Sequence, residues 1–390
     1  MHFNINRPLF LATIGRAMSV SRRASKTVSA ITDSVLLEAR EDGTVVVSAT
    51  DLDITVTSTT GAKVETTGRC LPSASALYEA LRSLDGDFVR VRWSHGPGDA
   101  QAMMTLREGG ADLDVVCRPA SDYPTLPSVL AVRFTKADGA PLAHAMRSVL
   151  FSASTDESRP NLCGVFLARL DGALTVVTTD GHRLSREVAE VDGAVLDVLD
   201  GVLVPTAGVA EVARIETEVG ITHIGRLDNN MVFRSDTDGA DVVLFVRLID
   251  SNFPDYRQVV PKPHPDTRVT TLNKARLAQA LGRMKLGASG ANSGVVIEFA
   301  PGKASLLSEN ADRGRALDVV PCDWIAEPMK IGVSVRYLNE AVASLASDRL
   351  TIRLNEPLSP ILLHAGEGTD DTGARRPVPE AIRIIMPMRI

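Results

Sequence analysis

The sequence predicts an α+β protein made of three similar units, and three observations carry that reading. Landmarks recur at a nearly constant interval: Asp51 and Asp180 lie 129 positions apart, Glu211 and Glu340 also 129, and Pro124 and Pro254 130. The chain of 390 residues is three such intervals long. Each interval reads helix, strands, helix, strands, an order that lets helices cover one side of sheets. Self-similarity at a fixed period marks a repeated architecture.

In the first unit, Asn6 can cap a helix that has Pro8 in its first turn. Leu9, Phe10, Ile14 and Ala17 then share one apolar face, followed by the basic cluster Arg22, Arg23 and Lys26. Strands are predicted at about 34–39 and 44–49, ending in Thr50-Asp51-Leu52-Asp53. Pro72 and Ser73 open a second helix with Leu77, Leu81 and Leu84 at helical spacing. Strands resume near 88–93, 101–106 and 112–117, and Tyr123 to Pro127 reads as an extended linker.

The second unit opens at Pro141 with Leu142, Met146 and Val149 on one helix face. A strand near 164–170 leads through Asp171-Gly172 into the β-branched run Thr175, Val176, Val177, Thr178 and Thr179. Asp180-Gly181 is then a turn, because Gly accepts positive φ and Asp bonds its own backbone. That turn presents His182 and Arg183 on the resumed strand. Pro205 opens a short helix bearing Val209 and Val212, strands follow near 221–226, 231–235 and 241–248, and Phe253 to Pro261 forms a second extended linker.

The third unit has a helix near 273–286 marked by Leu277, Leu281 and Met284, and strands near 294–300 and 303–309. Ser334 opens a helix bearing Leu338, Val342 and Leu345, and the final strands lie near 349–354, 359–364 and 381–387. The segment Gly366 to Pro377 is polar and Gly-rich and reads as a mobile surface loop.

Composition bounds the function. The chain is 44% hydrophobic and 23% charged, as a globular protein with a large core is, and its net charge is −6. Any polyanion contact therefore needs basic residues segregated on one face. Cys70, Cys117, Cys163 and Cys322 are far apart with no Cys-x-x-Cys pair, which predicts reduced thiols in a cytoplasmic protein and neither a zinc site nor a disulfide framework. The seven histidines show no metal-ligand spacing, so neither metal nor cofactor is expected. The N-terminus lacks the pattern of a signal peptide, and no apolar run approaches a membrane span.

Catalysis is disfavoured. Asp180, His182 and Ser185 contain the residue types of a hydrolase site, but no Gly-x-Ser-x-Gly turn exists to strain a nucleophile. Gly96-Pro97-Gly98 lacks a following Gly-Lys-Ser/Thr, and Gly287 to Gly294 has no lysine for a phosphate.

Four strings occur in order: Arg159 to Val165, Thr179 to Leu184, Phe253 to Arg257, and Met386-Pro387-Met388-Arg389-Ile390. With them the whole chain resembles the bacterial β sliding clamps, the processivity subunits of DNA polymerase III. The resemblance implies three clamp domains, at 1–128, 129–257 and 258–390. It implies a head-to-tail homodimer whose six domains form a ring, helices inside and sheets outside, around double-stranded DNA that is not modified. It implies a non-enzymatic role in the bacterial, nucleoid-associated cytoplasm. The implied partners are the polymerase α subunit, the clamp loader and other proteins with clamp-binding motifs.

The family's partner-peptide pocket maps onto this chain in two adjoining parts. One comprises Leu162, Thr179, Gly181, His182, Arg183, Leu184, Pro254, Val259, Ile384 and Met386. The other uses Arg159, Ser334, Tyr337, Leu358, Pro360, Pro387, Met388 and Arg389. Aliphatic and thioether side chains suit a groove that admits several partners. The seam of the dimer would use Leu113, Val115 and Leu286.

The chain departs from its relatives near the DNA. The segment Ser25 to Ile31 lacks a proline, and Ser73, Ala74, Thr206 and Ala207 stand where many members carry basic residues. The candidate DNA-facing cations that remain are Arg22, Arg23, Lys26, Arg82, Arg147, Arg214, Lys274, Arg276, Arg283 and Arg336. A specialised clamp paralogue, or a peptide-binding scaffold with weakened DNA contacts or an inhibitor-resistant pocket, is the alternative reading.

Overall fold

The structure is a computed structural model that describes residues 1–24, 34–94, 102–237, 240–262, 264, 266–288, 294–366 and 381–389. The first third runs β1 (His2–Asn6), α1 (Arg7–Ala24), β2 (Leu36–Ala39), β3 (Thr44–Thr50), β4 (Ile54–Gly61), β5 (Lys63–Thr66), β6 (Gly68–Pro72), α2 (Ala74–Ser83), β7 (Phe88–Trp93), β8 (Ala102–Glu108) and β9 (Ala111–Pro119). The middle third runs β10 (Arg133–Lys136), α3 (Gly139–Val149), β11 (Gly164–Leu170), β12 (Ala173–Thr179), β13 (Arg183–Ala189), α4 (Gly193–Leu199), β14 (Val202–Pro205), α5 (Thr206–Val219), β15 (His223–Leu227), β16 (Asn230–Thr237) and β17 (Ala240–Arg247). The last third runs β18 (Arg268–Asn273), α6 (Lys274–Met284), β19 (Gly294–Ala300), β20 (Lys303–Asn310), β21 (Gly314–Pro321), β22 (Met329–Ser334), α7 (Val335–Ser344), β23 (Arg349–Leu354), β24 (Ile361–Ala365) and β25 (Ile382–Ile385).

Helix starts follow local capping chemistry. The Asn6 side chain accepts from the Leu9 amide at 3.0 Å, Asn273 from Arg276 at 2.9 Å, and Ser334 from Tyr337 at 3.4 Å. On α1, Phe10, Ile14 and Ala17 are buried as the spacing predicts, but Leu9 is exposed. Adjacent helical residues are about 100° apart around the axis, so Leu9 lies beside the apolar stripe.

One turn is built three times. Asp51 Oδ1 accepts from the amides of Asp53 and Ile54, Asp180 Oδ1 from His182 and Arg183, and Asn310 Oδ1 from Asp312 and Arg313. Each closes the hairpin between the corresponding strands: β3 with β4, β12 with β13, and β20 with β21. Asn310 extends the Asp51 and Asp180 landmarks into the last third, where an amide oxygen replaces a carboxylate in the same role.

Two compact units result. One holds residues 1–140, 192–198 and 210–248, the other residues 141–191, 199–209 and 249–390. The first contains a 13-stranded sheet in the order β10-β15-β16-β17-β4-β3-β2-β6-β9-β8-β7-β1-β5. The second contains an eight-stranded sheet, β14-β11-β12-β13-β25-β24-β23-β18, and a four-stranded sheet, β21-β20-β19-β22. The thirds are thus joined by strand pairing. β17 pairs with β4 (Val246↔Ile54), and β25 pairs with β13 (Ile384↔Leu184). A large core of the second unit packs α6 and α7 residues such as Leu281 and Val342 against Val295, Ile331 and Leu363.

The second linker differs from the extended segment predicted. Asp255 caps a single helical turn at Tyr256–Gln258, and Tyr256 is buried. Residues 367–377 of the predicted loop, and residues 289–293, lie outside the described residues.

Candidate functional site

The Asp180–Arg183 turn organises a site within the second unit. Gly181 has φ +91°, a conformation that the glycine permits at low cost. Thr179 Oγ1 accepts from the Gly181 amide at 3.1 Å and donates to the Arg183 carbonyl at 2.6 Å. Asp180 Oδ2 accepts from Arg183 Nε at 2.9 Å. The strand that resumes, β13, is paired by β25, and the Met386 amide donates to the His182 carbonyl at 2.9 Å. The C-terminal segment is thereby laid beside the turn.

Between them lies an apolar pocket of about 210 Å³. Its walls are Leu162, Thr179, Gly181, Arg183, Leu184, Pro254, Val259, Ile384 and Met386, all predicted, with Asp255 and Tyr256 in addition. Beneath it Leu184, Ile384, Val177, Leu362, Ile382 and Tyr256 form one buried cluster. Phe166 stacks on Phe253 at 4.9 Å and steadies the linker that bears Pro254. The signal for Tyr256 was present in the Phe-Pro-Asp-Tyr-Arg string, but an extended linker gives no reason for its ring to turn inward. Burial pushes its phenol above the ordinary tyrosine value.

Arg183 is 8% exposed and holds the turn against α7. Its guanidinium lies 4.4 Å from the Tyr337 ring centre and 5.3 Å from that of Phe151, and it pairs with Glu340 as well as Asp180. The His182 ring stacks on Tyr337 at 6.5 Å. Behind this, Arg383 is fully buried, pairs with Glu187 at 2.8 Å and donates to Ser344 Oγ at 2.8 Å. It ties β25 to β13 and α7.

A second cavity, about 650 Å³, lies on the other side of Arg183. Arg159, His182 and Tyr337 line it with residues of the 150–157 segment, Thr206 and Arg336. The remaining predicted pocket residues line neither cavity. Ser334 is buried as the cap of α7. Met388 donates its amide to the Gly332 carbonyl at 2.8 Å. Leu358 is 66% exposed, Pro360 and Pro387 are half-buried, and Arg389 is exposed.

The hydrolase residue types do not converge. Asp180 serves the turn amides and Arg183, and Ser185 is buried against Ser152 Oγ at 2.6 Å.

The candidate DNA-facing cations divide into two groups. Arg82 and Arg147 are exposed on α2 and α3. Others are engaged within the fold. Arg214 pairs with Glu211 and Glu218, and Arg276 and Arg283 both pair with Asp318. The hydrogen bond from Arg276 leads in holding the Asp318 carboxyl down to about 2. Lys274 donates to the Leu345 and Ala343 carbonyls at the end of α7, and Arg336 lies 4.9 Å over Tyr337. Arg22 and Arg23 fall in the last turn of α1, and Lys26 lies outside the described residues.

The predicted seam residues differ in exposure within the single chain. Val115 is 4% exposed, because strand alternation turns it with Cys117 into the core. Its neighbour Val116 is the outward residue, 43% exposed, and Leu286 is exposed at the end of α6.

The family models of the DNA polymerase III beta subunit match the N-terminal domain at residues 1–127, the central domain at 137–255 and the C-terminal domain at 257–375. The chain belongs to this family, the bacterial β sliding clamps. The beta sliding clamp of Caulobacter vibrioides (strain NA1000 / CB15N) is 29% identical over 369 residues, covering 93% of this chain and 95% of that one. The beta sliding clamp of a Synechocystis strain is 27% identical over 369 residues, covering 90% and 92%. The solved Caulobacter crescentus clamp superposes with TM-score 0.86 at 26% identity over 100% of this chain and 99% of its own. The Bartonella birtlesii clamp, solved with griselimycin bound, gives TM-score 0.84 at 26% identity over the whole of both chains. The function is therefore that of a sliding clamp in DNA replication, a non-catalytic processivity subunit. No helix among the described residues is long and apolar enough to cross a membrane.

Proposed function

We propose that this clamp works as a head-to-tail homodimer of chains with domains at 1–128, 129–257 and 258–390, closing a six-domain ring around double-stranded DNA. Helices face the DNA and sheets face outward. The single observation that carries this reading is a strand pairing used twice. The last strand of the second domain, β17, pairs with the fourth strand of the first, β4, and β25 of the third domain pairs in the same way with β13 of the second. That rule leaves two strands over: β9, the last of the first domain, and β21, the counterpart of β4 and β13. From Ala111 to Val115, β9 pairs with β8 alone, and β21 pairs with β20 alone, among the described residues. Val116 on β9 and Leu317, 63% exposed, and Val319 on β21 are outward apolar side chains on these edges. Unpaired edges invite strand addition. One chain carrying both halves of a seam makes a closed dimer with two identical seams.

The apolar pocket at the β13–β25 junction tethers the polymerase α subunit, the clamp loader and other proteins bearing clamp-binding peptides, in the nucleoid-associated cytoplasm. The pocket is enclosed by aliphatic and thioether groups with Asp255 and the turn amides at its edge, a pattern suited to an apolar peptide anchor. Griselimycin, bound by the Bartonella relative, is the natural competitor with which to probe it.

One observation favours the paralogue reading as a second possibility: Arg214, Arg276 and Arg283 spend their charge on internal carboxylates. Such a protein binds DNA topologically with little direct phosphate attraction. The test is retention after loading. A clamp loaded on a nicked circle stays through dilution and leaves when the circle is cut. Equal retention on linear and circular DNA refutes encirclement.

A further inference from the structure

We infer that the solvent face of the sheet at β1, β7 and β8 is a docking surface for an extended acidic segment of a partner protein. It belongs to the first compact unit, whereas the apolar pocket belongs to the second. The strand register places its residues. Asn4 on β1 stands opposite Lys63 on β5 and Arg90 on β7, and Arg90 stands opposite Arg107 on β8. Two residues further along β7, Arg92 faces the same way, between His2 and Thr105. The alternate residues Phe3, Ile5, Val89, Val91, Met104 and Leu106 are buried on the opposite face, where Phe3 meets Phe10 of α1 edge-on at 6.0 Å. The cations therefore lie on the side of the sheet away from α1.

An arginine directly opposite an arginine works against the sheet, because like charges at opposed cross-strand positions destabilise the pairing. The fold relieves only one side of it. Arg107 pairs with Asp112 at 2.9 Å. Arg90, Arg92 and Lys63 are exposed and make no ion pair among the described residues. In a chain of net charge −6, positive charge is thus gathered on one face at the expense of local stability. An anionic partner removes that repulsion.

The layout of the face decides which anion fits. On one flank β9 presents Asp112 and Asp114 opposite Arg107 and Thr105. On the other flank His2 is paired with Glu65 of β5 at 2.9 Å. Between these carboxylates lie β1, β7 and β8, a strip two strand spacings or roughly 10 Å across. A long run of phosphates crossing it is repelled at both flanks, whereas one extended peptide lying along β7 fits between them. Alternate side chains of such a peptide repeat about every 7 Å, the separation of Arg90 and Arg92 along their strand. Phe88, 60% exposed and two residues before Arg90, adds an apolar contact at the same interval. The segment recognised here therefore carries carboxylates at alternate positions and an apolar residue at the next alternate position.

The experiment titrates the full chain into a short labelled peptide with glutamates at alternate positions beside a phenylalanine. The same peptide with lysines for glutamates and a single-stranded oligothymidylate are run alongside. Binding is read by fluorescence anisotropy at low salt on the unaltered protein and on a variant with Arg90→Gln and Arg92→Gln together. The acidic peptide should bind, the lysine peptide should not, and the double variant should weaken the acidic peptide about tenfold, the loss of two exposed ion pairs. Griselimycin should not displace the acidic peptide. The Tm of Arg90→Gln should equal or exceed that of the unaltered protein, because the opposed charge is gone. If the acidic and lysine peptides bind alike, or the double variant binds the acidic peptide undiminished, the inference is overturned. A lower Tm for Arg90→Gln would assign the arginine to the fold and overturn it too. If oligothymidylate binds more tightly than the peptide and loses that affinity in the double variant, the surface belongs to nucleic acid and the inference is wrong.

Discussion

Leu184 and Ile384 are direct cross-strand partners although 200 positions separate them. Both are buried, and both form the floor of the apolar pocket. The pocket therefore exists only where the last strand of the chain closes on the middle domain.

Deleting residues 386–390, or changing His182 and Met386 together to Ala, should abolish binding of a clamp-motif peptide. Losing an anchor contact in such a groove costs about 2 kcal/mol, roughly thirtyfold in affinity. The dimer should persist, because β9 and β21 lie elsewhere in the chain. Anisotropy and light scattering on the same sample check both halves. Undiminished peptide binding by the truncated protein would show the site to be misassigned.

Leu317→Glu should break the seam. A charge at an outward apolar position of β21 must be desolvated when a second strand covers it. Light scattering of the unaltered protein should give about twice 41.7 kDa, and the variant the mass of one chain with peptide binding intact. A monomeric unaltered protein at micromolar concentration rules out the ring.

Short duplex DNA should bind weakly, since few cations are uncommitted. Changing Arg82 and Arg147 together to Gln should lower the slope of log affinity against log salt by about 2 if each neutralises one phosphate. An unchanged slope would remove both residues from the DNA face.

The Asp318 carboxyl, held at about 2 chiefly by the hydrogen bond from Arg276, sets a pH window. Its folded value lies below the ordinary 3.8. Its stabilisation is therefore full above about pH 4 and is lost as pH falls toward 2. The Tm difference between Asp318→Asn and the unaltered protein should be constant from pH 7 to 5 and shrink steeply as pH falls from 4 toward 2. A difference that stays constant across that range would place the effect elsewhere than in ionisation.

The sequence by itself determined the threefold repeat, the helix starts and most strands, because these rest on local rules: capping by Asn6 and Ser334, β-branched runs, and the Asp-Gly turn. It also marked nine of the eleven walls of the apolar pocket, through strings that resemble a known family. Asn310, the third copy of the turn, is not legible from residue identity, since the repeated feature is an accepting oxygen rather than one residue type.

Tertiary structure decided the rest. Which face a strand residue takes depends on what packs behind it, so Val115 went inward and Val116 outward. Which cations remain for DNA depends on carboxylates brought in from afar: Asp318 lies 42 positions from Arg276 yet binds it. The second cavity is only partly marked in the sequence, by Arg159, His182, Arg183 and Tyr337, because its other walls come from a loop and two helix starts that only long-range strand pairing assembles. Periodicity and capping act within a few residues, whereas a site is defined by distance in space, and the closing of β25 on β13 converts one into the other.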